Sequence, residues 1–153
     1  MISDLELKQK LYNQCLAFIE SRFQIIQNTI NEIQEALTSE TKSSAGDKHE
    51  TGRAMLQLER EKSGNQLAET QKLKESFSKI DISKTSETVG LGSVVLTSQN
   101  NYFIAISTGE IKIGPAIFYA ISPNTPMGQL LLGKKVGDDI AFKKQKFEIQ
   151  KIL

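Results

Sequence analysis

Tryptophan is absent from this 153-residue chain, which carries only 3 Tyr and 7 Phe. Any core must therefore be modest and mostly aliphatic, and no aromatic-rich ligand pocket is evident in the sequence. One cysteine, Cys15, rules out an internal disulfide framework and suits a reducing cytosol. No apolar run approaches the roughly 20 residues needed to span a bilayer. The opening residues, MISDLELKQK, lack the apolar core of a signal peptide. Charge of one sign is missing too: 19 Lys and Arg face 18 Asp and Glu, a net charge of +1. Nothing in the whole-chain charge asks for nucleic acid or an anionic membrane. These absences describe a soluble, cytoplasmic protein with no membrane partner. The division along the chain is mild, with 11 basic and 13 acidic residues over 1–81, and 8 and 5 over 82–153.

Proline and glycine are also missing before Gly46, and what fills that space is periodic. Tyr12, Leu16, Ile19, Phe23, Ile26, Ile30, Ile33 and Leu37 follow 4-3 spacing, the seam of a coiled coil. Over Leu5 to Leu37 such a helix runs about 50 Å. Cys15 reads as a small residue flanking the seam. The stretch TSETKSSAG then breaks the pattern, and a second helical segment follows from about Asp47 to Ile80. Leu67, Leu73, Phe77 and Ile80 serve one end of its seam, while Ser63, Gly64 and Asn65 interrupt the middle. A short link between long helices predicts an antiparallel hairpin with residues 40–50 at its distal tip.

The period changes after IDISKTSETVGLGS, which reads as a linker over residues 82–88 between a hairpin (1–81) and a second domain (89–153). Short β-rich runs follow: SVVLT, YFIAIS, EIKI, AIFYAIS, DIAF and KFEIQKI, with turn markers SQNN, STGE and KKQK. Phe147 and Ile149 alternate with Glu148 and Gln150, as in a sheet with one covered face. Within TPMGQLLLG, Thr125 is a helix N-cap, Pro126 the first helical position and Gly133 the terminator. The expectation is a small α+β domain, an antiparallel sheet with a short helix. Lys143, Lys144 and Lys146 read as a solvated turn.

Asp47, Lys48, His49 and Glu50 open the second helix. Asp47 and Glu50 have capping-box spacing, and both favour the positive end of the helix dipole. His49 reads as a solvated side chain, because two carboxylates and an imidazole on an exposed tip cannot close a tight zinc or calcium site.

Here the sequence resembles a known family over most of its length. GDKHE followed by a long charged helix is similar to the hairpin tip of the Gre transcription elongation factors, whose pattern there is Gly-Asp-x-x-Glu. About 75 residues further on, ISPNTPMGQLLLGKKVGDDI resembles the signature of the Gre C-terminal domain. That signature runs Ile-Ser, two residues, Ser/Thr-Pro, then a helix ending in Leu-Leu-Gly-Lys, and Val-Gly-Asp.

The resemblance implies an N-terminal antiparallel coiled-coil hairpin and a C-terminal domain of the FKBP-like class. It implies a protein that binds bacterial RNA polymerase, inserts the hairpin through the secondary channel, and docks its globular domain at the channel rim; the chain itself is expected to be a monomer. It further implies stimulated cleavage of backtracked RNA near the transcript 3′ end. On that reading Asp47 and Glu50 would be the catalytic pair, donating oxygen ligands to a Mg²⁺ ion shared with the polymerase. The protein would have no independent enzymatic activity. Asn124, Thr125 and Pro126, in the loop before the short helix, would face the rim. TGRA at residues 51–54 departs from the family, which usually has Asn and Ala and then an acidic and aromatic pair. Arg53 is open among a salt bridge to Glu50, a phosphate contact and solvent. The alternative expectation is a divergent paralogue that occupies the channel without promoting cleavage. A prolyl isomerase or chaperone is suggested by the fold class alone.

Overall fold

A computed structural model describes residues 2–42 and 47–153, except the side chains of 40–42 and 47–49. Helix α1 spans Asp4–Lys42 and helix α2 Asp47–Ser78. Ser3 starts α1: its Oγ accepts from the Glu6 amide at 3.1 Å, and its carbonyl accepts from the Leu7 amide at 2.9 Å. Ser3 and Glu6 have capping-box spacing, a signal that a search for apolar periodicity passes over. The chain divides into two compact units, Ile19–Glu75 and Met1–Phe18 together with Ser76–Leu153.

In the unit Ile19–Glu75, α1 buries Ile19, Ile26, Ile30, Ile33 and Leu37 and half-buries Phe23, as the 4-3 spacing predicts. The two helices run antiparallel, since Phe23 meets Lys74 whereas Leu37, further along α1, meets Arg53. The inward face of α2 is Leu56, Ser63 and Thr70, seven apart, with Arg60 and Leu67 half-buried between them. Two of its buried seam residues are thus small and polar. The Thr70 hydroxyl donates to the Gln66 carbonyl at 2.8 Å, so its burial leaves no unmade hydrogen bond. Arg60 lies along its own helix, with Nη1 3.4 Å from where a Cβ on Gly64 would stand. Arginine can bury its stem and keep the head wet, which lets a charged residue cover an isoleucine seam.

The other unit holds six strands, β1 (Val94–Thr97), β2 (Asn101–Ile104), β3 (Gly109–Ile113), β4 (Ala116–Ile121), β5 (Asp139–Phe142) and β6 (Gln145–Ile152), with α3 (Pro126–Leu131) before β5. All six β-rich runs become strands, and the fold class is the expected α+β. The order is β3-β4-β2-β1-β6-β5. One pairing differs from the antiparallel expectation: β2 and β4 are parallel, Asn101 opposite Phe118 and Ile104 opposite Ile121. β3 takes the sheet edge and β4 turns back between it and β2, so β4 runs in the direction of β2.

The sheet is also covered on both faces, where one was expected. On one side Val95, Tyr102, Ile104, Ile140, Phe147 and Ile149 gather around Leu131 of α3. On the other, Val94, Phe103, Ile111, Phe118 and Ala120 are buried as well. The helix ends of the same unit lie over that second side. Asp4 pairs with Lys151 of β6 at 3.3 Å, and a Cβ on Gly92 would meet Ile80 Cγ2 at 3.0 Å. Leu11 and Cys15 are fully buried there, one residue ahead of the half-buried Tyr12 and Leu16. Tyr12 stacks on Phe77 with centroids 4.5 Å apart. The opening turns of α1 therefore carry two apolar stripes, and Cys15 belongs to the second rather than to the flank of the first.

Burial pushes the Cys15 thiol up to about 12, slightly opposed by the Thr108 hydroxyl. That hydroxyl oxygen is itself buried without a hydrogen bond of ordinary geometry. Lys8, also buried, donates from Nζ to the Lys84 carbonyl at 3.0 Å. Its ammonium is held below the usual lysine range by desolvation, against the attraction of Asp81. Among the described residues, no helix is long and apolar enough to cross a membrane.

Candidate functional site

Asp47 is the first residue of α2, but its carboxylate and the His49 ring lie outside the described side chains. The capping box expected between Asp47 and Glu50 lies outside them for the same reason. Glu50 is in the first turn of α2 and exposed to solvent. Positions three apart on a helix share a face, so the backbone puts Asp47 and Glu50 on one side of α2. At the start of a helix the aligned peptide dipoles favour negative charge, which is the charge this turn carries.

Three residues beyond Glu50, Arg53 is half-buried and its Nη1 donates to the Leu37 carbonyl at 3.2 Å. This contact settles part of what the sequence left open: the guanidinium engages the backbone of α1. A bond from the second turn of α2 to the last buried seam residue among the described side chains of α1 ties the two helices together next to Glu50. Arginine's several donors in a rigid fork make that possible without removing the carbonyl from its own helix, because the oxygen has two lone pairs.

No three His, Cys, Asp or Glu side chains converge among the described residues. The exposed Glu50 carboxylate carries hard oxygen donors of the kind that Mg²⁺ takes.

The loop before α3 is closely self-bonded. The Thr125 hydroxyl accepts from the Gly128 amide at 3.0 Å and donates to the Ser122 carbonyl at 2.8 Å. Pro126 holds the first helical position, and Gly133, with φ +79°, follows the helix end, both as predicted. Gln129 Nε2 donates to the Pro123 carbonyl at 2.7 Å, and the Asn124 amide donates to Ser122 Oγ at 3.2 Å. The result is a rigid bend that leaves Asn124 and Pro126 exposed and Thr125 half-buried. Sequence reasoning missed Gly128 as part of this bend. A Cβ there would stand 2.4 Å from the Ser122 carbonyl oxygen, so only glycine lets the helix approach the loop so closely. A glycine inside the helical run TPMGQLL was the available signal.

No family model matches the chain, and no curated protein matches it either. Among solved structures it is similar to the crystal structure of GreA factor homolog 1 (Gfh1) of Thermus thermophilus. That match has 20% identity over 93% of this chain and 94% of the other, with a TM-score of 0.37. A second structure, of the transcription factor Gfh1, matches at 20% identity over 92% of each chain, with a TM-score of 0.34.

Proposed function

We propose that this protein is a Gre-like transcription elongation factor of the cytoplasm that binds bacterial RNA polymerase. Its hairpin enters the secondary channel, and its tip carboxylates promote cleavage of backtracked RNA near the 3′ end. The observation that carries this reading is the placement of Asp47 and Glu50 in the first turn of the second of two long antiparallel helices, with Glu50 exposed. The second motif, ISPNTPMGQLLLGKKVGDDI, supports it by folding into the capped bend and helix α3.

The chemistry asked of this chain is small. Two-metal hydrolysis of a phosphodiester uses one Mg²⁺ to activate the attacking water and another to stabilise the leaving oxygen. Asp47 and Glu50 would each offer carboxylate oxygens to an ion that the polymerase also holds, and no independent enzymatic activity follows. Arg53, bonded to α1, keeps the first turns of α2 in register so that Glu50 projects from a fixed frame. The bend at Asn124 and Pro126 is the docking surface for the channel rim on this reading.

The test is RNA cleavage by a stalled elongation complex, with the parent protein and with Asp47→Asn and Glu50→Gln. Asn caps a helix about as well as Asp, and Gln can complete a capping box, so both variants keep the fold and remove charge. Each should lower stimulated cleavage by about 100-fold, as loss of a group that stabilises developing charge does, while polymerase affinity stays unchanged. Equal cleavage by parent and variants, at limiting and at saturating Mg²⁺, refutes the catalytic role. It leaves a regulator that occupies the channel without promoting cleavage.

A further inference from the structure

Strands β5 and β6 pair with Phe142 opposite Gln145, so only Lys143 and Lys144 form the turn between them. Both have positive φ, 50° and 65°, and they are the only described non-glycine residues that do. Two consecutive positive φ values mark the type I′ hairpin turn, whose favoured residues are Asn-Gly. Side chains with a Cβ destabilise this conformation, since it crowds the Cβ against the next carbonyl. The turn therefore holds lysines where the backbone favours other residues.

Neither lysine is fixed by a carboxylate among the described residues. Lys143 Nζ sits 5.3 Å from the centre of the half-buried Phe142 ring, and Lys143 and Lys144 are both exposed. Lys146, two residues on, pairs loosely with Asp139 at 3.4 Å, with both side chains more than half exposed. Residues 82–153 carry 8 basic and 5 acidic residues, all 8 of the basic ones lysine. We infer that the Lys143–Lys144 turn is a contact for the phosphate backbone of nucleic acid, made without reading its sequence. Exposed ammonium groups with no carboxylate partner among the described residues suit a partner whose charge recurs continuously along its length. An acidic protein patch instead rewards donors held in fixed, complementary positions.

The test measures two quantities expected to move in opposite directions in the full-length protein carrying Lys143→Asn and Lys144→Gly. This double variant relieves the backbone, and its melting midpoint should rise by about 5 °C. Its affinity for a short labelled DNA duplex at low salt should fall by about 5-fold or more. The slope of log affinity against log salt should also shrink by about 1 to 2, one unit per lost phosphate contact. Lys143→Gln with Lys144→Gln keeps the strained backbone and should lose the same affinity with no gain in midpoint. Duplex affinity unchanged in either variant, or no salt-dependent binding by the parent, overturns the inference. A loss of affinity for core polymerase with duplex binding intact would also overturn it, in favour of an acidic protein surface.

Discussion

The same substitution, glycine to alanine, should act with opposite sign at two helical positions. At Gly128 a Cβ would stand 2.4 Å from the Ser122 carbonyl oxygen and 2.9 Å from both the Pro123 carbonyl oxygen and Thr125 Oγ1. Two of these obstacles are backbone, so the loop or the helix must shift. The shift loosens the Thr125 cap, worth about 1 kcal/mol, and overpacking adds about 1–3 kcal/mol. Alanine's better helix propensity returns about 1 kcal/mol. Gly128→Ala should therefore destabilise its unit by about 1–3 kcal/mol. At Gly64 the nearest obstacle is the end of a flexible side chain, Arg60 Nη1, at 3.4 Å. Gly64→Ala should stabilise α2 by about 0.5–1 kcal/mol. With no tryptophan present, emission from Tyr12, Tyr102 and Tyr119 during urea unfolding reports one compact unit, which contains all 3 tyrosines. Far-UV circular dichroism follows the helices. A Gly128→Ala protein within about 0.5 kcal/mol of the parent would refute the close-approach argument, because that is the scatter of ordinary surface substitutions. A Gly64→Ala protein destabilised by more than that would refute the reading of Arg60 as a yielding neighbour.

Cys15 should react with a thiol reagent at mildly alkaline pH only as fast as its unit opens, and labelling as fast as that of a free thiol would disprove its burial. Its folded pKa is raised, so its contribution to stability is full below the ordinary thiol value of 9.0 and is lost as pH rises toward about 12. The stability advantage of the parent over Cys15→Ala should accordingly shrink between neutral and strongly alkaline pH, as measured by urea titration. Arg53→Met keeps an apolar stem but removes the bond to the Leu37 carbonyl. It should weaken the hairpin by about 1–2 kcal/mol and speed hydrogen exchange at the amides of residues 51–57. Unchanged exchange there would show that the bond does not hold the two helices together.

The architecture was largely legible because each element has a strong local signature. The isoleucine seam of α1, the Thr125-Pro126 start of α3, the Gly133 stop and all six strands were readable from residue type and spacing. What was not legible depends on which elements meet. SVVLT and YFIAIS are continuous apolar runs, which fit a strand covered on both faces. The alternation in KFEIQ instead suggested a single covered face, and no local feature says that the helix ends fill the other side. Cys15 was read as flanking the seam, and Leu11 went unnoticed, for the same reason: a 4-3 seam identifies the stripe facing a helical partner, not a second stripe facing a sheet. The parallel pairing of β2 and β4 follows from β3 taking the edge, a choice set by the whole sheet.

Site residues are harder because one carboxylate can satisfy several demands. Asp47 and Glu50 have the spacing of a capping box and of a metal-ligand pair, and the two roles use different lone pairs of the same oxygens. Spacing therefore could not choose between them; charge-neutral replacements can. The more informative positions are those where residue type and local geometry disagree. Lysines at paired positive φ are one such case, and buried Ser63 and Thr70 in the α2 seam are another. Local rules favour Asn-Gly at the first and apolar residues at the second. Thr70 offsets its burial with a bond to its own helix, so its polarity needs no further explanation. Among the described residues the two lysines have no carboxylate partner, and Lys143 has only the face of the Phe142 ring. That difference is why a surface turn, rather than the buried polar seam, directs attention to a partner outside the chain.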